Sequence, residues 1–173
     1  LDNPEGYWEH LRIIGLNDDM LALMGGAWDT PPDFDQNWTD HPDLSLIALR
    51  LQNLVDVEFA DQLHWGWKDP RISLTLAFWK QQFPDARWLV CLRHPVAVAH
   101  SMSTGKPMRD FDLMSALKLW QTYNEMILRE IAPAQLLITH YESYFYDPEA
   151  ELKRVLSGLA MPIDATQVEQ ALA

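Results

Sequence analysis

The sequence is poor in cysteine and contains no long apolar run. The single cysteine, Cys91, excludes an intrachain disulfide among these 173 residues. Because Cys91 lies inside a short apolar stretch, we expect a small buried side chain rather than a reactive thiol. No run approaches the roughly 20 apolar residues of a membrane helix, so the sequence predicts no membrane segment. The scarcity of cysteine fits a reducing compartment, and we expect a cytoplasmic protein.

Basic residues are also scarce, because 13 lysines and arginines oppose 25 aspartates and glutamates and leave a net charge of -12. A general nucleic-acid binder normally presents a basic face, so this balance argues against a nucleic-acid partner. It is compatible with a small anionic ligand in a locally basic cleft, for which Lys68, Arg71 and Arg93 are candidates. Histidines and cysteines do not show metal-ligand spacing, and we expect no metal.

Hydrophobic residues make up 48% of the chain, which is typical of a globular protein. The length is enough for one core, so residues 1–173 are expected to form a single domain. Strand-like apolar runs alternate with helical patterns, and this alternation predicts an α/β fold in which helices flank both faces of a parallel sheet. The predicted strands are His64–Trp67, Arg87–Leu92 and Leu136–His140.

The stretch from Leu89 onward is the most informative part of the chain. Leu89–Leu92 is an unbroken apolar run, as expected of a strand buried on both faces of a parallel sheet. The run stops at Arg93, and Pro95 then occupies the first position of a predicted helix. A guanidinium beside the free amides and the positive dipole end of a helix makes a good oxyanion site. Open α/β sheets also bind their ligands at the carboxyl ends of their strands.

These residues resemble a known motif. Leu92–Pro95, with Ser101 eight positions after Arg93, resembles the 3′-phosphate-binding motif of the sulfotransferases that use 3′-phosphoadenosine-5′-phosphosulfate (PAPS). Further segments resemble bacterial sulfotransferase-like proteins, and they follow one another in the family's order: Asn3–Glu9, Gly26–Pro32, Lys68–Arg71, Phe83–Arg87 and His140–Tyr144.

The resemblance implies a three-layer fold like that of the P-loop NTPases and a transfer of a sulfuryl group from PAPS, as co-substrate, to a hydroxyl or amine. The acceptor would be a small molecule, a carbohydrate or a lipid, and the oligomeric state stays open. In the family, the first strand and the phosphate loop would precede Leu1. We therefore expect an N-terminally truncated, partial domain, a fragment of a longer protein that is inactive on its own.

Three residues are expected, by resemblance, to bind the nucleotide. Arg93 would bind the 3′-phosphate, unless it is a surface arginine paired with a carboxylate. Ser101 would donate its hydroxyl to the same phosphate, or it is an ordinary helix serine satisfied by the preceding turn. Tyr141 would contact the nucleotide, or it is a core aromatic beside the last strand.

The catalytic candidates come from earlier segments. Lys68 is the candidate for stabilising the transferred or leaving oxygens, and its alternative is a salt bridge with Asp69 or with a helix end. Glu9 is the first candidate for the base and Asp69 the second, although a glutamate at a helix start also compensates the dipole. Arg71 and Trp28 are candidates for binding the acceptor, and each could instead hold a loop in place.

Two other functions compete with sulfuryl transfer. The chain could be a non-catalytic α/β module that binds a nucleotide or a protein partner and has lost the phosphate loop. It could also be a nucleotide kinase of related fold, but that activity needs a metal-binding acid and a lid, and the sequence shows neither.

Overall fold

The computed structural model describes residues 8–104 and 111–172, so most of the Asn3–Glu9 motif lies outside the described part. Within these ranges the helices are α1 Leu11–Leu23, α2 Leu44–Glu58, α3 Ile72–Gln82, α4 Pro95–Thr104, α5 Leu113–Glu130, α6 Pro148–Gly158 and α7 Ala165–Leu172. The strands are β1 Leu89–Leu92 and β2 Leu137–His140. None of the described helices is both long and apolar enough to cross a bilayer.

The chain divides into two compact units. The first unit comprises the described parts of Leu1–Pro84 together with Thr122–Glu130. The second unit comprises the described parts of Asp85–Gln121 and Ile131–Ala173. Helix α5 contributes its beginning to the second unit and its end to the first. Whether the chain is one domain, as its length predicts, stays a prediction.

The core of the first unit forms where α1 packs on α2 and α3. Helix α1 buries Ile13, Leu16 and Met20, which share one face because they lie three and four positions apart. The glycine pair Gly25-Gly26 ends this helix, as glycine after a helix commonly does. Gly25 has a φ of +82°, and the amide of Gly26 donates to the carbonyl of Leu21 at 2.9 Å. This left-handed ending satisfies carbonyls that the helix leaves open.

The predicted strand His64–Trp67 was wrong, because the segment does not belong to a sheet among the described residues. Its side chains explain the difference. Trp65 and Trp67 lie two positions apart, and their rings stack at 5.2 Å. Both rings also contact Phe83. Ring packing therefore holds this segment without a ladder of hydrogen bonds.

The second unit contains a small parallel sheet in which β1 pairs with β2, with Leu89 opposite Leu137 and Leu92 opposite His140. This pairing confirms the α/β class and the parallel sheet. Among the described residues, however, two strands replace the three that the sequence predicts, and the three-layer arrangement stays a prediction.

The prediction that β1 is buried on both faces was wrong. Leu89 and Cys91, on one face of β1, are exposed, whereas Val90 and Leu92 on the other are partly covered. A two-stranded sheet covers less than the multi-stranded one that the apolar run implied. Cys91 is therefore a surface thiol and not a buried apolar side chain.

Polar side chains fix α6 against β2. Asp147 caps α6 by accepting from the amide of Ala150 at 3.0 Å, and Pro148 occupies the first helical position, which is the typical pattern of a helix start. One turn further, Glu151 accepts from the hydroxyl of the buried Thr139 at 2.6 Å and from Arg154. The hydrogen bond from Arg154, followed by that from Thr139, lowers the pKa of Glu151 to about 2. The carboxylate thus stays ionised while it connects helix and strand.

Candidate functional site

The first unit brings four of the predicted site residues together: Glu9, Lys68, Asp69 and Arg71. The ammonium of Lys68 donates to Oε1 of Glu9 at 2.8 Å. Nη1 of Arg71 lies 3.9 Å from Oε2 of Glu9 and donates to Oδ1 of Asp69 at 2.9 Å. With Asp18, these residues form what we call the Arg71 cluster. The alternative role of Lys68 was a salt bridge with Asp69 or with a helix end. The structure pairs Lys68 with Glu9 instead, while Asp69 contacts Arg71.

Asp69 is the buried centre of this cluster, and its side chain has no exposed surface. Its Oδ1 accepts from both the main-chain N–H and Nη1 of Arg71, at 3.0 and 2.9 Å. Its Oδ2 accepts from Nδ2 of Asn17 at 2.8 Å. All three contacts lie in the turn before α3 or reach it from α1. A carboxylate engaged in this way suits the anchoring of Arg71 better than proton abstraction from an acceptor, and its role as a base stays a prediction.

Arg71 is surrounded by carboxylates. Besides Asp69 and Glu9, Oδ1 of Asp18 lies 2.8 Å from its Nε. Burial lowers the pKa of this guanidinium, but the charge and hydrogen bond of Asp69 raise it, with smaller contributions from Asp18 and Glu9. The net pKa lies above the ordinary value, so Arg71 is a permanent cation. Its predicted contact with the acceptor stays a prediction.

Glu9 lies just before α1 and not in its first turn, since the helix begins at Leu11 and His10 is its N-cap. Its side chain is mostly covered, and its described partners are Lys68 and Arg71. The expectation that Glu9 compensates the helix dipole from the first turn is therefore replaced by two direct contacts with cations. A role as the base stays a prediction.

Sequence analysis missed Asn17, which is completely buried on α1. Its Nδ2 donates to Asp69, and its Oδ1 accepts from the hydroxyl of Thr75 at 2.7 Å and from Nε1 of Trp79 at 2.9 Å. The signal was present in the sequence. Asn17 lies among Leu16 and other buried apolar residues of α1, where a polar side chain needs partners.

Trp28, the other candidate for acceptor binding, packs against the buried core cluster of Leu21, Leu74 and Met126. Its carbonyl accepts from the hydroxyl of Tyr123 at 2.8 Å. Burial raises the pKa of Tyr123, which therefore stays protonated as this donor. These contacts match the alternative in which Trp28 holds the loop after α1. Acceptor binding by Trp28 stays a prediction.

In the second unit, Arg93 lies at the end of β1 with its guanidinium carbon 4.6 Å from the ring centroid of Tyr141. The main-chain carbonyl of Arg93 accepts from Nε1 of Trp120 at 3.2 Å. Nε of Arg93 is buried and has no hydrogen-bond partner within the described ranges. Nor does any carboxylate of the described residues form an ion pair with Arg93. Within the described ranges, Arg93 is therefore not a surface arginine paired with a carboxylate.

Glu142 fixes the connection that follows Arg93. Its Oε1 accepts from the main-chain N–H of His94 at 3.1 Å, and α4 then begins at Pro95. This hydrogen bond is the largest cause of a lowered pKa at Glu142. The charged groups of His94 and Arg93 contribute less. We call Arg93, His94, Tyr141 and Glu142 the Arg93 cluster.

Ser101 and Tyr141 differ in their relation to Arg93. Tyr141 contacts it directly, is 46% exposed and also meets the ring of Phe145 at 5.1 Å, so it is not a core aromatic. Ser101 is exposed on α4, and its hydroxyl has no hydrogen-bond partner among residues 8–104 and 111–172. Arg93 thus contacts Tyr141 directly, and no described hydrogen bond joins it to Ser101. Their contacts with a nucleotide stay predictions.

No group of three or more histidine, cysteine, aspartate or glutamate side chains within the described residues could hold a metal ion.

Comparison with known proteins gives two relatives, from Caenorhabditis elegans and Caenorhabditis briggsae, that both carry the name "Putative protein-tyrosine sulfotransferase". Both are 26% identical to this chain, over 101 and 98 residues. The matches cover 55% and 53% of this chain but only 39% and 35% of the relatives. The chain thus spans well under half of their length. No solved structure matches the chain.

A family model described as the sulfotransferase family matches residues 15–165. The matched residues include Lys68, Arg71, Arg93, Ser101 and Tyr141, whereas Glu9 precedes them. The match confirms the resemblance that the motifs carry. Because it covers most of the sequence, the chain belongs to the sulfotransferase family.

Proposed function

We propose that this protein transfers a sulfuryl group from PAPS to a hydroxyl or amine of an acceptor. The observation that carries the proposal is the state of Arg93. Its guanidinium lies on the ring of Tyr141, without a carboxylate partner among the described residues, and its buried Nε has no hydrogen bond. A guanidinium left in this state, beside the start of α4, is suited to an incoming anion.

The 3′-phosphate of the donor is the anion that this proposal assigns to Arg93. A doubly charged phosphate ester accepts paired hydrogen bonds from the planar guanidinium, and the first amides of α4 add positive potential. Tyr141 supports Arg93 from one face and leaves its edge for the phosphate. Ser101 is assigned a hydrogen bond to the same group, for which its hydroxyl has no competing partner among the described residues. The proposal also retains the three-layer, P-loop-like arrangement for the complete fold.

The transfer chemistry is assigned to the Arg71 cluster. PAPS supplies the sulfuryl group, which must meet the acceptor oxygen or nitrogen in line with the leaving phosphate. Such a transfer needs a base for the acceptor proton and a cation for the charge on oxygen. Glu9 is the proposed base and Lys68 the proposed cation, and the 2.8 Å contact between them joins both requirements in one pair.

The proposed acceptor is a small molecule, a carbohydrate, a lipid or, as the names of the two relatives suggest, a protein tyrosine. All of these present a hydroxyl, or an amine, as the nucleophile. The chemistry assigned to Glu9 and Lys68 is the same for each of these acceptors.

Isothermal titration with adenosine 3′,5′-bisphosphate tests the assignment of Arg93. Charged hydrogen bonds contribute roughly 1.5–3 kcal/mol each, so Arg93→Ala is expected to weaken binding by about 10- to 100-fold. Arg87→Ala is the matched control, because Arg87 donates to the carbonyl of Gly158 and has no assigned ligand. An unchanged affinity in Arg93→Ala would overturn the proposal. Binding without transfer to any acceptor would favour the non-catalytic module.

A further inference from the structure

Asn17 connects α1, α3 and the turn between Trp67 and α3. Its side chain is completely buried, and both of its polar atoms are engaged. Helix α3 departs from helical geometry at Thr75, where φ is -104° and ψ is 16°. At this kink the hydroxyl of Thr75 donates to Asn17 Oδ1 and also lies 3.3 Å from the carbonyl of Arg71.

The chemistry of the partners fixes the orientation of the Asn17 amide. The carboxylate of Asp69 requires a donor, and of the two polar atoms of Asn17 only Nδ2 is one. The indole N–H of Trp79 requires an acceptor, for which Asn17 offers only Oδ1, and the hydroxyl of Thr75 accepts from the same N–H at 3.0 Å. A rotated amide would place its oxygen against the carboxylate and its nitrogen against the indole N–H. Asn17 is therefore held in one rotamer and directs one donor at Oδ2 of Asp69.

The contacts continue from Asp69 to the proposed transfer groups. Oδ1 of Asp69 holds both the main chain and Nη1 of Arg71. Nη1 of Arg71 in turn lies 3.9 Å from Oε2 of Glu9, whose Oε1 contacts Lys68. Every link in this chain of contacts belongs to the first unit.

We propose that Asn17 is a positioning residue: it orients the Asp69 carboxylate, which holds the Arg71 guanidinium beside the Glu9–Lys68 pair. This inference rests on the proposed sulfuryl transfer, since it gives Glu9 and Lys68 their task. Small errors in the position of a reacting group reduce turnover strongly, even when they arise away from the chemistry. Neither Asn17 nor its hydrogen bonds to Thr75 and Trp79 follow from the motifs of the family.

An exchange of the two side chains separates positioning from stability. In the double variant Asn17→Asp/Asp69→Asn, the new carboxylate at 17 accepts from Thr75 and Trp79, and the new amide at 69 donates to it. The amide oxygen at 69 still accepts from Arg71. The hydrogen bonds among these side chains are thus retained. The negative charge, however, moves from position 69, which contacts the Arg71 guanidinium, to position 17, which does not.

The exchange is expected to keep the melting temperature near that of the wild type while kcat falls by about tenfold or more and KM for PAPS changes by less than about threefold. Arg71 is expected to react faster with phenylglyoxal, as measured by peptide mass spectrometry, because its guanidinium is held less firmly. Ile13→Val, which removes one methyl group from the same helix, is the control and should change neither kcat nor the phenylglyoxal reactivity of Arg71. A kcat within about twofold of the wild type, with unchanged phenylglyoxal reactivity, would overturn the inference.

The inference can also be tested if the exchanged protein does not fold or if the wild type is inactive. If the exchanged protein does not fold, Trp79→Phe removes the indole donor to Asn17 Oδ1 and leaves the hydroxyl of Thr75 as the other donor. It should accelerate phenylglyoxal modification of Arg71, and no change would count against the inference. If the wild type transfers no sulfuryl group, the proposed function fails. Faster modification of Arg71 in the exchanged protein then still supports the positioning by Asn17, and an unchanged rate contradicts it.

Discussion

Two arginines, one in each unit, are held in opposite ways. Arg71 meets three carboxylates, from Glu9, Asp18 and Asp69. Arg93 has no carboxylate among its described neighbours and lies on the ring of Tyr141 instead. A guanidinium that is neutralised by several carboxylates, one of them fully buried, is suited to a structural or positioning task. One that is supported only by a π-face keeps its hydrogen-bonding edge for a ligand.

The same contrast separates the acidic residues. Asp69 of the Arg71 cluster is buried and accepts three hydrogen bonds from its own unit. Glu142 of the Arg93 cluster uses one oxygen for a main-chain amide and so shapes the connection after β1 without neutralising Arg93 by direct contact. One cluster therefore uses its carboxylate to fix a cation, and the other uses it to fix the backbone beside a cation.

The largest expected effect comes from removing the buried carboxylate. Asp69→Ala leaves Arg71 and the amide of Asn17 without their common partner inside the first unit. Breaking a buried pair on one side costs about 3–5 kcal/mol, and the partial exposure of Arg71 places this case near 3 kcal/mol. Urea denaturation measures the change in the free energy of unfolding.

The matched variant for this experiment is Asp69→Asn, which keeps an oxygen for Arg71 and loses the charge. It should destabilise the protein less than Asp69→Ala does. A loss below about 1 kcal/mol in Asp69→Ala would mean that the cluster behaves as an exposed ion pair. The contrast with Arg93 would then disappear.

A smaller effect is expected at the aromatic support of Arg93. A cation–π contact at a partly exposed site contributes about 0.5–1 kcal/mol, so Tyr141→Leu should weaken the binding of adenosine 3′,5′-bisphosphate by about two- to fivefold. Tyr141→Phe keeps the π-face and should bind almost as the wild type does. Titration calorimetry compares the three proteins.

Equal losses in Tyr141→Leu and Tyr141→Phe would show that the hydroxyl, and not the ring, matters for binding. Tyr141 would then be a direct ligand of the nucleotide, as the resemblance implies. Melting temperatures should stay close in all three proteins, since the ring is half exposed.

Local signals in the sequence predicted much of this arrangement. Gly25-Gly26 marks the end of α1, and Asp147 marks the start of α6, because each acts through its own backbone and nearest neighbours. The position of Arg93 at the end of a strand followed by a helix was equally local. These features need no knowledge of the rest of the fold.

The features that sequence analysis missed depend on distant partners. Asn17 and Asp69 are 52 positions apart, and no spacing rule joins an α1 amide to the turn before α3. Similarly, Trp65 and Trp67 carry the composition of a strand, but ring stacking replaces the ladder that would make them one. The exposure of Cys91 depends on how many strands the sheet has, which its apolar neighbours do not encode.

The smallest effect is expected at Glu151, a carboxylate of the second unit that is closer to solvent than Asp69 is. Arg154 and Thr139 lower the pKa of Glu151 from 4.5 to about 2. A group whose pKa is lowered by folding stabilises the protein above its unfolded pKa, and that contribution falls as the pH decreases from 4.5 towards 2. Because solvent screens this ion pair, the change should be modest.

Thermal melting of the wild type and of Glu151→Gln at a series of pH values isolates this contribution from that of the other acids. The difference in melting temperature should be constant above about pH 5 and shrink steadily at lower pH, since only the wild type takes up the additional proton on unfolding. A difference that stays constant down to about pH 3 would mean that the charge of Glu151 contributes nothing. The hydrogen bond from Thr139, which the glutamine also accepts, and the one from Arg154 to the carbonyl of Ile138 would then connect α6 and β2 without help from the charge.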